Sequence, residues 1–267
     1  MNKFISFHAH TVEILLFIIS TFHYVFANPN LLVTGYQPKR IPKKERIKNM
    51  NLLVLGATGN TGRQFVSMAL ERGHKIRAIV RKTADLEERN GLEVIQGDVL
   101  NPVLLRKAVS GMDAVVSCLG IRKENPSDPW SALLSPEDLM ARSTAGIVDA
   151  MQISGIKRLL VISSAGIGDS WEAVDPDIRT VIQTSSISKV FLDLNNMEEI
   201  LDGSGLDTLA VRPVALINGE ASGRAQIVSR FEKTSKITTG DVARWILDAV
   251  EMPAPFKQRS EMIGSTT

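Results

Sequence analysis

Three glycines in the segment LVLGATGNTGRQ, residues 53–64, have the spacing of a phosphate-binding turn. The pattern predicts a strand, a tight turn and a helix. In that arrangement Gly56 would allow the turn, Gly59 would let a diphosphate approach the backbone, and Gly62 would let the helix pack close to the strand. Unpaired backbone N–H groups at residues 60–62 would then donate to phosphate oxygens, with help from the helix dipole.

A basic pair, Arg81-Lys82, stands about 20 residues after these glycines, at the end of a second apolar run. An acidic residue at this point would accept hydrogen bonds from the adenosine ribose and would select NAD. A guanidinium or ammonium group instead favours a 2′-phosphate. The pair therefore predicts NADP(H) as the cofactor, with a solvated charge pair at a strand end as the alternative.

Small and polar residues follow three further apolar runs. Gly97-Asp98-Val99 follows the third run, where Asp98 could accept a hydrogen bond from an adenine amino group or cap the helix that begins near Pro102. The segments SCLG, residues 117–120, and SSAG, residues 163–166, follow the fourth and fifth runs. Because ligands of parallel sheets bind beyond the carboxyl ends of the strands, these segments predict a place for a flat ring against the backbone.

The elements that must hold these residues alternate along the chain. Short apolar runs rich in β-branched residues predict strands, and the segments between them, with apolar residues at three- and four-residue spacing, predict helices. We predict strands at 52–55, 76–80, 92–95, 114–118, 159–162 and 206–211, and helices at 62–72, 102–109, 136–154 and 188–201. Ser135, which precedes Pro136, is the predicted cap of the third helix. The alternation predicts an α/β fold: a doubly wound parallel sheet in a single domain, residues 50–267, with a small C-terminal portion on the substrate side.

The composition limits the classes of function. The 267 residues are 44% hydrophobic, which is enough for a large core. After residue 49 the chain holds 24 basic and 27 acidic residues, which argues against a nucleic-acid-binding surface spread over the domain. Cys118 is the only cysteine, so no intrachain disulfide and no Cys-based metal site can form, and a reducing compartment fits best. We predict no bound metal.

Residues 1–49 differ in character from the rest of the chain. An apolar stretch at 14–27 is shorter than the ~20 residues that span a bilayer, and a basic linker follows it at 38–48. Three interpretations are open: a cleaved secretory signal, a marginal membrane anchor, or an extension upstream of a start at Met50. The third predicts a cytoplasmic protein, and membrane contact would arise only if residues 1–49 were retained.

The residue types missing from the domain limit its chemistry. Both tyrosines of the chain precede Met50, and His74 is the only histidine that follows it. His74 is predicted between the first helix and the second strand, at the end of the sheet away from the glycine turn. Ordinary alcohol oxidation or ketone reduction needs a tuned acid or base, so it loses support.

Seven segments occur in an order that resembles a known family: GATGNTGRQ, VRK, QGDV, VSCLG, ISSAG, SGLDTLAVRP and ITTGDVARWILDAV. In that order they resemble the atypical short-chain dehydrogenases/reductases of the NAD(P)H-binding, NmrA-like group, and most closely the flavin reductase and biliverdin reductase B branch. The resemblance covers residues 50–267. It implies a Rossmann-like NAD(P)-binding fold.

The resemblance also implies residue roles. Ser164, with Ser163, falls where the branch has a hydroxyl beside the nicotinamide and substrate, and residues 212–216 match the loop that lines the substrate side. Asp241 matches a structural position at the start of the last helix. The implied cofactor contacts are Gly56, Thr58, Gly59, Asn60, Thr61, Gly62, Arg81, Lys82, Asp98, Val99, Cys118, Leu119, Gly120, Ser163, Pro213 and Val214.

Several other residues invite interpretation. Trp130 and Trp171 lie in two predicted loops, 121–134 and 167–187, and would either stack on a flat ligand or pin a lid. Lys189 could stand where related dehydrogenases keep a lysine near the ribose. The segment MEEIL, residues 197–201, is predicted to be an ordinary amphipathic helix, and Cys118 is predicted to be a buried apolar residue rather than a nucleophile.

Two functions follow from these patterns. The first is an NADPH-dependent oxidoreductase that transfers hydride to a flat conjugated small molecule, such as a flavin or quinone, without a Tyr-Lys pair. The second is a non-catalytic NADP(H) sensor that acts on a protein partner. A sugar-nucleotide epimerase is a more distant third, because the domain lacks the tyrosine base.

Overall fold

The structure is a computed structural model that describes residues 46–265 except Lys48, Ala84, Asp85, Glu87 and Ala254. The apolar stretch at 14–27 lies outside these residues. Within the described part of the chain, no helix combines the length and the apolar character that a membrane span requires.

The core of the molecule is an eight-stranded sheet. Six strands pair in parallel in the spatial order β3-β2-β1-β4-β5-β6: β1 (Asn51–Leu55), β2 (Lys75–Val80), β3 (Leu92–Gln96), β4 (Ala114–Ser117), β5 (Arg158–Ile162) and β6 (Asp207–Pro213). The sequence order reverses between β1 and β4, so the loops after these two strands diverge and leave a crevice at their carboxyl ends. The predicted doubly wound parallel sheet is confirmed.

Four further strands lie in the described part of the chain, and none of them was predicted from the sequence. They are β7 (Ala215–Ile217), β8 (Ala225–Ile227), β9 (Lys236–Thr238) and β10 (Ser260–Ser265). Strand β10 extends the sheet in parallel beside β6, and β8 adds an antiparallel edge. Strands β7 and β9 form a separate parallel pair.

Helices cover both faces of the sheet. They are α1 (Asn60–Glu71), α2 (Pro102–Val109), α3 (Leu139–Ser154), α4 (Pro176–Thr184), α5 (Ile187–Gly203) and α6 (Thr239–Val250). Leu52 and Val54 of β1 pack in one buried cluster with α1 and α6. Leu53 and Leu55 point the other way and pack with α2, α3 and α5. This strict alternation follows from the two-residue period of a strand.

The predicted start of the third helix is wrong, because α3 begins at Leu139 rather than Pro136. The Ser135 hydroxyl does not cap it and instead accepts the backbone N–H of Arg122 at 3.0 Å. The cap comes from another helix: the buried Asp193 carboxylate of α5 accepts the N–H groups of Met140 at 2.8 Å and Ala141 at 2.9 Å. A contact between α5 and α3 thus supplies an acceptor for two backbone N–H groups in the first turn of α3, which have no partner within the helix.

Candidate functional site

The glycine turn after β1 is formed as the spacing predicts. Gly56 has a φ of 75°, and a Cβ on it would lie 2.5 Å from the backbone carbonyl carbon of Cys118. A Cβ on Gly62 would lie 2.2 Å from the Gly56 carbonyl oxygen. Gly59 differs, since the nearest atom to its Cβ position is the Gly56 oxygen at 3.4 Å. The first and third glycines therefore let the protein backbone pack on itself, whereas Gly59 has room for a Cβ, so packing within the protein does not require glycine there.

The amino terminus of α1 has free hydrogen-bond donors beside Gly59. Gly59 is the N-cap and makes no side-chain cap hydrogen bond, and its carbonyl accepts the N–H of Arg63 at 2.9 Å. The backbone N–H groups of residues 60–62 have no acceptor among the described residues. Room at this glycine, next to free amides at the positive end of a helix dipole, fits a diphosphate.

The predicted adenosine side lies at the ends of β2 and β3. Arg81 and Lys82 directly follow β2, are exposed, and form no ion pair with a described carboxylate. Asp98 is also exposed, and its Oδ1 accepts the Leu100 N–H at 2.9 Å in a local turn. The alternative that Asp98 caps α2 is wrong, because Asn101 accepts the first-turn N–H groups of that helix. Asp98 thus lies at the surface just after β3, the strand next to the one that Arg81 follows.

The segment after β4 lies against the glycine turn. Cys118 is 8% exposed, and burial raises the pKa of its thiol to about 12, which keeps it protonated and inert as a nucleophile. Its backbone N–H donates to the Leu55 carbonyl at 2.8 Å. Leu119 is half-buried, and Gly120 is exposed with no atom within 4 Å of its Cβ position. This segment therefore presents an open backbone surface beside Gly56.

The structure separates the two serines that the sequence paired. Ser163 is buried, and its hydroxyl donates to Glu198 Oε1 of α5 at 2.5 Å. Ser164 is half-buried, and among the described residues its hydroxyl makes only a local bond, to the Ala165 carbonyl at 3.1 Å. Ser164 is thus the member of the pair whose hydroxyl can exchange its partner for a ligand.

A buried ion pair holds the ends of β5 and β6, and the sequence analysis missed it. Arg212 Nε lies 3.0 Å from Glu198 Oε1, and Arg212 Nη2 lies 2.6 Å from Glu198 Oε2. Arg212 Nη1 also donates to the largely exposed Asp169 at 2.5 Å. Burial alone would lower the pKa of Arg212, but the hydrogen bonds to Glu198 and Asp169 outweigh it and raise the pKa.

Residues 197–201 lie in a helix, as predicted, but Glu198 is buried instead of lying on the solvent-exposed face. This carboxylate lies on the buried face of α5, one turn after Leu194 and beside Met197 and Leu201. The available signal was an acid at helical spacing from apolar residues, together with an arginine near the end of a buried strand. Each implies a buried charge that requires a partner.

The predicted substrate-side loop divides into a buried and an exposed part. Pro213 and Val214 are buried, and the Val214 N–H donates to the Ile263 carbonyl at 3.0 Å. Leu216 and Ile217 of β7 are 45% and 44% exposed. The side chain of Val214 therefore belongs to the core, whereas Leu216 and Ile217 form an accessible apolar surface.

Stacking on a ligand and pinning a lid were both open for Trp130 and Trp171, and the two side chains have different contacts in the structure. Trp130 Nε1 donates to the Thr184 carbonyl at 3.1 Å, which pins the loop to the end of α4 while the ring stays 56% exposed. Trp171 is half-buried beneath the Arg179 guanidinium, whose carbon lies 6.0 Å from the ring centroid. Lys189 pairs with Glu137 at 2.5 Å at the surface. Pinning is thus the observed role of Trp130, and Lys189 is engaged by an acid.

Two other residues lie as expected. His74 follows α1 at the opposite end of the sheet, where it accepts the Met50 N–H at Nδ1 and contacts Glu251 at 2.9 Å through Nε2. Asp241 is 1% exposed in the first turn of α6 and accepts from Ser222 and from the Gly223 N–H. The Asp241 carboxylate thus ties the preceding loop to the helix.

The chain is similar in sequence to one group of characterised proteins and in fold to several solved structures. The chain is 24% identical over 221 residues to the photosystem II assembly factor Ycf39 of Guillardia theta, covering 80% of this chain and 65% of that protein. The match thus spans less than two thirds of that relative. The structure resembles the anaerobilin reductase ChuY of Escherichia coli O157:H7, with a TM-score of 0.65, 22% identity, and coverage of 80% and 96% of the two chains. It is also similar to a short-chain dehydrogenase/reductase of Veillonella parvula solved with NADP, with a TM-score of 0.65, 18% identity, and coverage of 81% and 94%.

A family model described as NAD(P)H-binding matches residues 56–253, from the first glycine of the turn to just beyond α6. The matched region contains the glycine turn, the basic strand end and both serines. It confirms the resemblance to atypical short-chain dehydrogenases/reductases and the predicted nicotinamide cofactor. Because the match extends over most of the chain, this protein belongs to the NAD(P)H-binding family, and its Rossmann-like fold is that of the solved structures it resembles.

Proposed function

We propose that the chain is an NADPH-dependent oxidoreductase that reduces a flat conjugated acceptor such as a flavin or a quinone. The main observation that supports this proposal is the position of the Ser164 hydroxyl. It makes one local hydrogen bond and follows β5, next to the strand that leads to the open Gly120 backbone. A polar group beside an open glycine surface suits a planar ring that needs orientation rather than strong acid catalysis.

The cofactor would be held through its phosphate groups. The free N–H groups of residues 60–62 would bind the diphosphate, and Arg81 with Lys82 would bind the 2′-phosphate of NADP(H). The solved Veillonella relative carries NADP, which supports this choice. When bound, the reduced nicotinamide supplies the hydride.

The protein side of the reaction is orientation. No tyrosine lies within the described residues, and His74 lies at the opposite end of the sheet. Ser164 would hydrogen-bond the acceptor or the nicotinamide amide, and the exposed Leu216 and Ile217 would wall the acceptor site. An electron-poor acceptor takes its proton from water, so these groups suffice.

The test is turnover of NADPH by the full-length protein with flavin mononucleotide and a water-soluble quinone, followed by loss of reduced nicotinamide absorbance. Removing the hydroxyl in Ser164→Ala should lower kcat/KM about tenfold, because one orienting hydrogen bond is lost. Ser229→Ala, an exposed serine beyond β8, is the matched control and should match wild type. Equal rates for both variants would refute the role of Ser164.

A second candidate is a non-catalytic NADP(H) sensor that acts on a protein partner. The relative named as an assembly factor favours it, as does the lack of a tyrosine among the described residues and the position of His74 at the opposite end of the sheet. Tight NADP(H) binding with no turnover of any acceptor would support the sensor over the reductase. The absorbance assay together with calorimetry therefore separates the two candidates.

A further inference from the structure

The segment after β6 crosses the amino terminus of α1. We call residues 215–221 the strap. Within it, Asn218 Oδ1 accepts from Asn60 Nδ2 at 2.6 Å, and the Gly219 carbonyl accepts from Gln64 Nε2 at 3.1 Å. These two bonds connect the strap to the first and second turns of the helix that follows the glycine turn.

The strap is also held at its far end by α6. The Gly219 carbonyl accepts the Gly240 N–H at 2.9 Å. A Cβ on Gly240 would lie 2.2 Å from the Ala221 backbone nitrogen, so only glycine permits this approach. The strap is therefore held by two side chains of α1 and by the backbone of α6.

Asn218 has an unused donor at this place. Its side chain is exposed, and no described residue accepts from its Nδ2 group. Its neighbour Asn60 is the first residue of α1, whose backbone N–H is one of the free donors at that terminus. The amide of Asn218 thus adds a donor, from a different part of the chain, to a cluster that already suits an anion.

We propose that Asn218 is a phosphate-binding residue that reaches the dinucleotide diphosphate from the strap. This inference deepens the proposed function and rests on the diphosphate position given there. The helix amides would bind one side of the diphosphate, and the Asn218 amide would donate to an oxygen on the side that faces β7. The strap would then be a part of the cofactor site that the glycine motif does not include.

Asn218→Asp tests the proposal without loosening the strap. The aspartate keeps the shape and an oxygen that accepts from Asn60, and a negative charge beside a helix amino terminus is favourable in the free protein. The same charge would repel a bound diphosphate, so the affinity for NADP⁺ in calorimetry should fall at least about tenfold. Asn218→Ala, which loses the donor without adding charge, should weaken binding by a smaller factor, about three- to tenfold. Asn196→Asp, an exposed position on α5, is the matched control.

Adenosine 2′-monophosphate, which lacks the diphosphate, should bind the wild type and Asn218→Asp equally. NADP⁺ affinities within about twofold for the wild type, Asn218→Asp and Asn218→Ala would overturn the assignment of Asn218 alone. If Asn218→Asp fails to fold, Asn218→Ala alone decides by the same threshold. A wild-type protein that binds neither ligand would overturn the dinucleotide site itself and this inference with it.

Discussion

Replacing Glu198 by alanine should strongly destabilise the fold. The carboxylate accepts from Arg212 through both of its oxygens and from the Ser163 hydroxyl. Its removal would leave the guanidinium, whose side chain is only 8% exposed, with the solvent-facing Asp169 as its remaining carboxylate partner. A buried charge that loses its partner costs about 3–5 kcal/mol.

The assay is urea unfolding followed by tryptophan fluorescence. We expect Glu198→Ala to lower the free energy of unfolding by about 3–5 kcal/mol and Glu198→Gln, which keeps the volume and one acceptor, by about 1–3 kcal/mol. Glu199→Ala is the matched control, because Glu199 is the exposed next residue of α5 and accepts only from Asn195. It should change the free energy by no more than about 0.5 kcal/mol.

A double-mutant cycle with Arg212→Met isolates the ion pair. In the Arg212→Met background, Glu198→Ala should lower the free energy of unfolding by about 2 kcal/mol less than it does in the wild type, because no buried cation is left unpaired. The reasoning is refuted if Glu198→Ala matches Glu199→Ala, or if the cycle shows no coupling. Either result would mean that solvent screens Arg212 as it does a surface arginine.

Three further predictions concern other parts of the molecule. Gly62→Ala should lower the free energy of unfolding by about 1–3 kcal/mol, because the alanine Cβ would clash with the Gly56 carbonyl oxygen. The control is Gly203→Ala, which has no atom within 4 Å of the Cβ position and should be neutral or stabilising in the same urea assay. Arg81→Ala should weaken NADP⁺ binding about tenfold in calorimetry and leave NAD⁺ unchanged; equal losses for both would refute a 2′-phosphate contact. Burial alone would raise the pKa of Glu251, but the hydrogen bond from His74 and the charges of Arg72 and Arg46 hold the pKa below its ordinary value of 4.5. The ionised Glu251 therefore stabilises the folded state above that pH, and this stabilisation is lost as the pH falls below it. Thermal unfolding of Glu251→Gln should therefore depend less steeply on pH in that acidic range than unfolding of the wild type, and an unchanged slope would contradict this account.

The core strands and the cofactor end of the domain were predictable because their signals are local. The apolar runs, the glycine spacing at Gly56 and Gly62, and the basic pair at Arg81 each depend on residues close in sequence. A strand buried on both faces has a continuous apolar pattern, and a turn with a positive φ selects glycine, so few alternatives were open. The order of these signals also predicted the parallel sheet.

The other half of the site could not be predicted, because its parts meet only in the folded chain. Ser163 and Ser164 are adjacent and chemically identical, yet the pleat turns Ser163 toward Glu198 on α5 and leaves Ser164 with a local partner. The cap of α3 comes from Asp193, 52 residues or more along the chain. No short window of sequence contains both members of such a pair.

The sequence by itself determined the fold class, the glycine turn and the cofactor class, since each depends on backbone geometry within a few residues. The tertiary structure alone decided which serine has a local partner and which a buried acid, and that the strap brings Asn218 to α1. These outcomes depend on desolvation and on contacts between distant elements. A charge or amide acquires its role from the partner that folding places beside it.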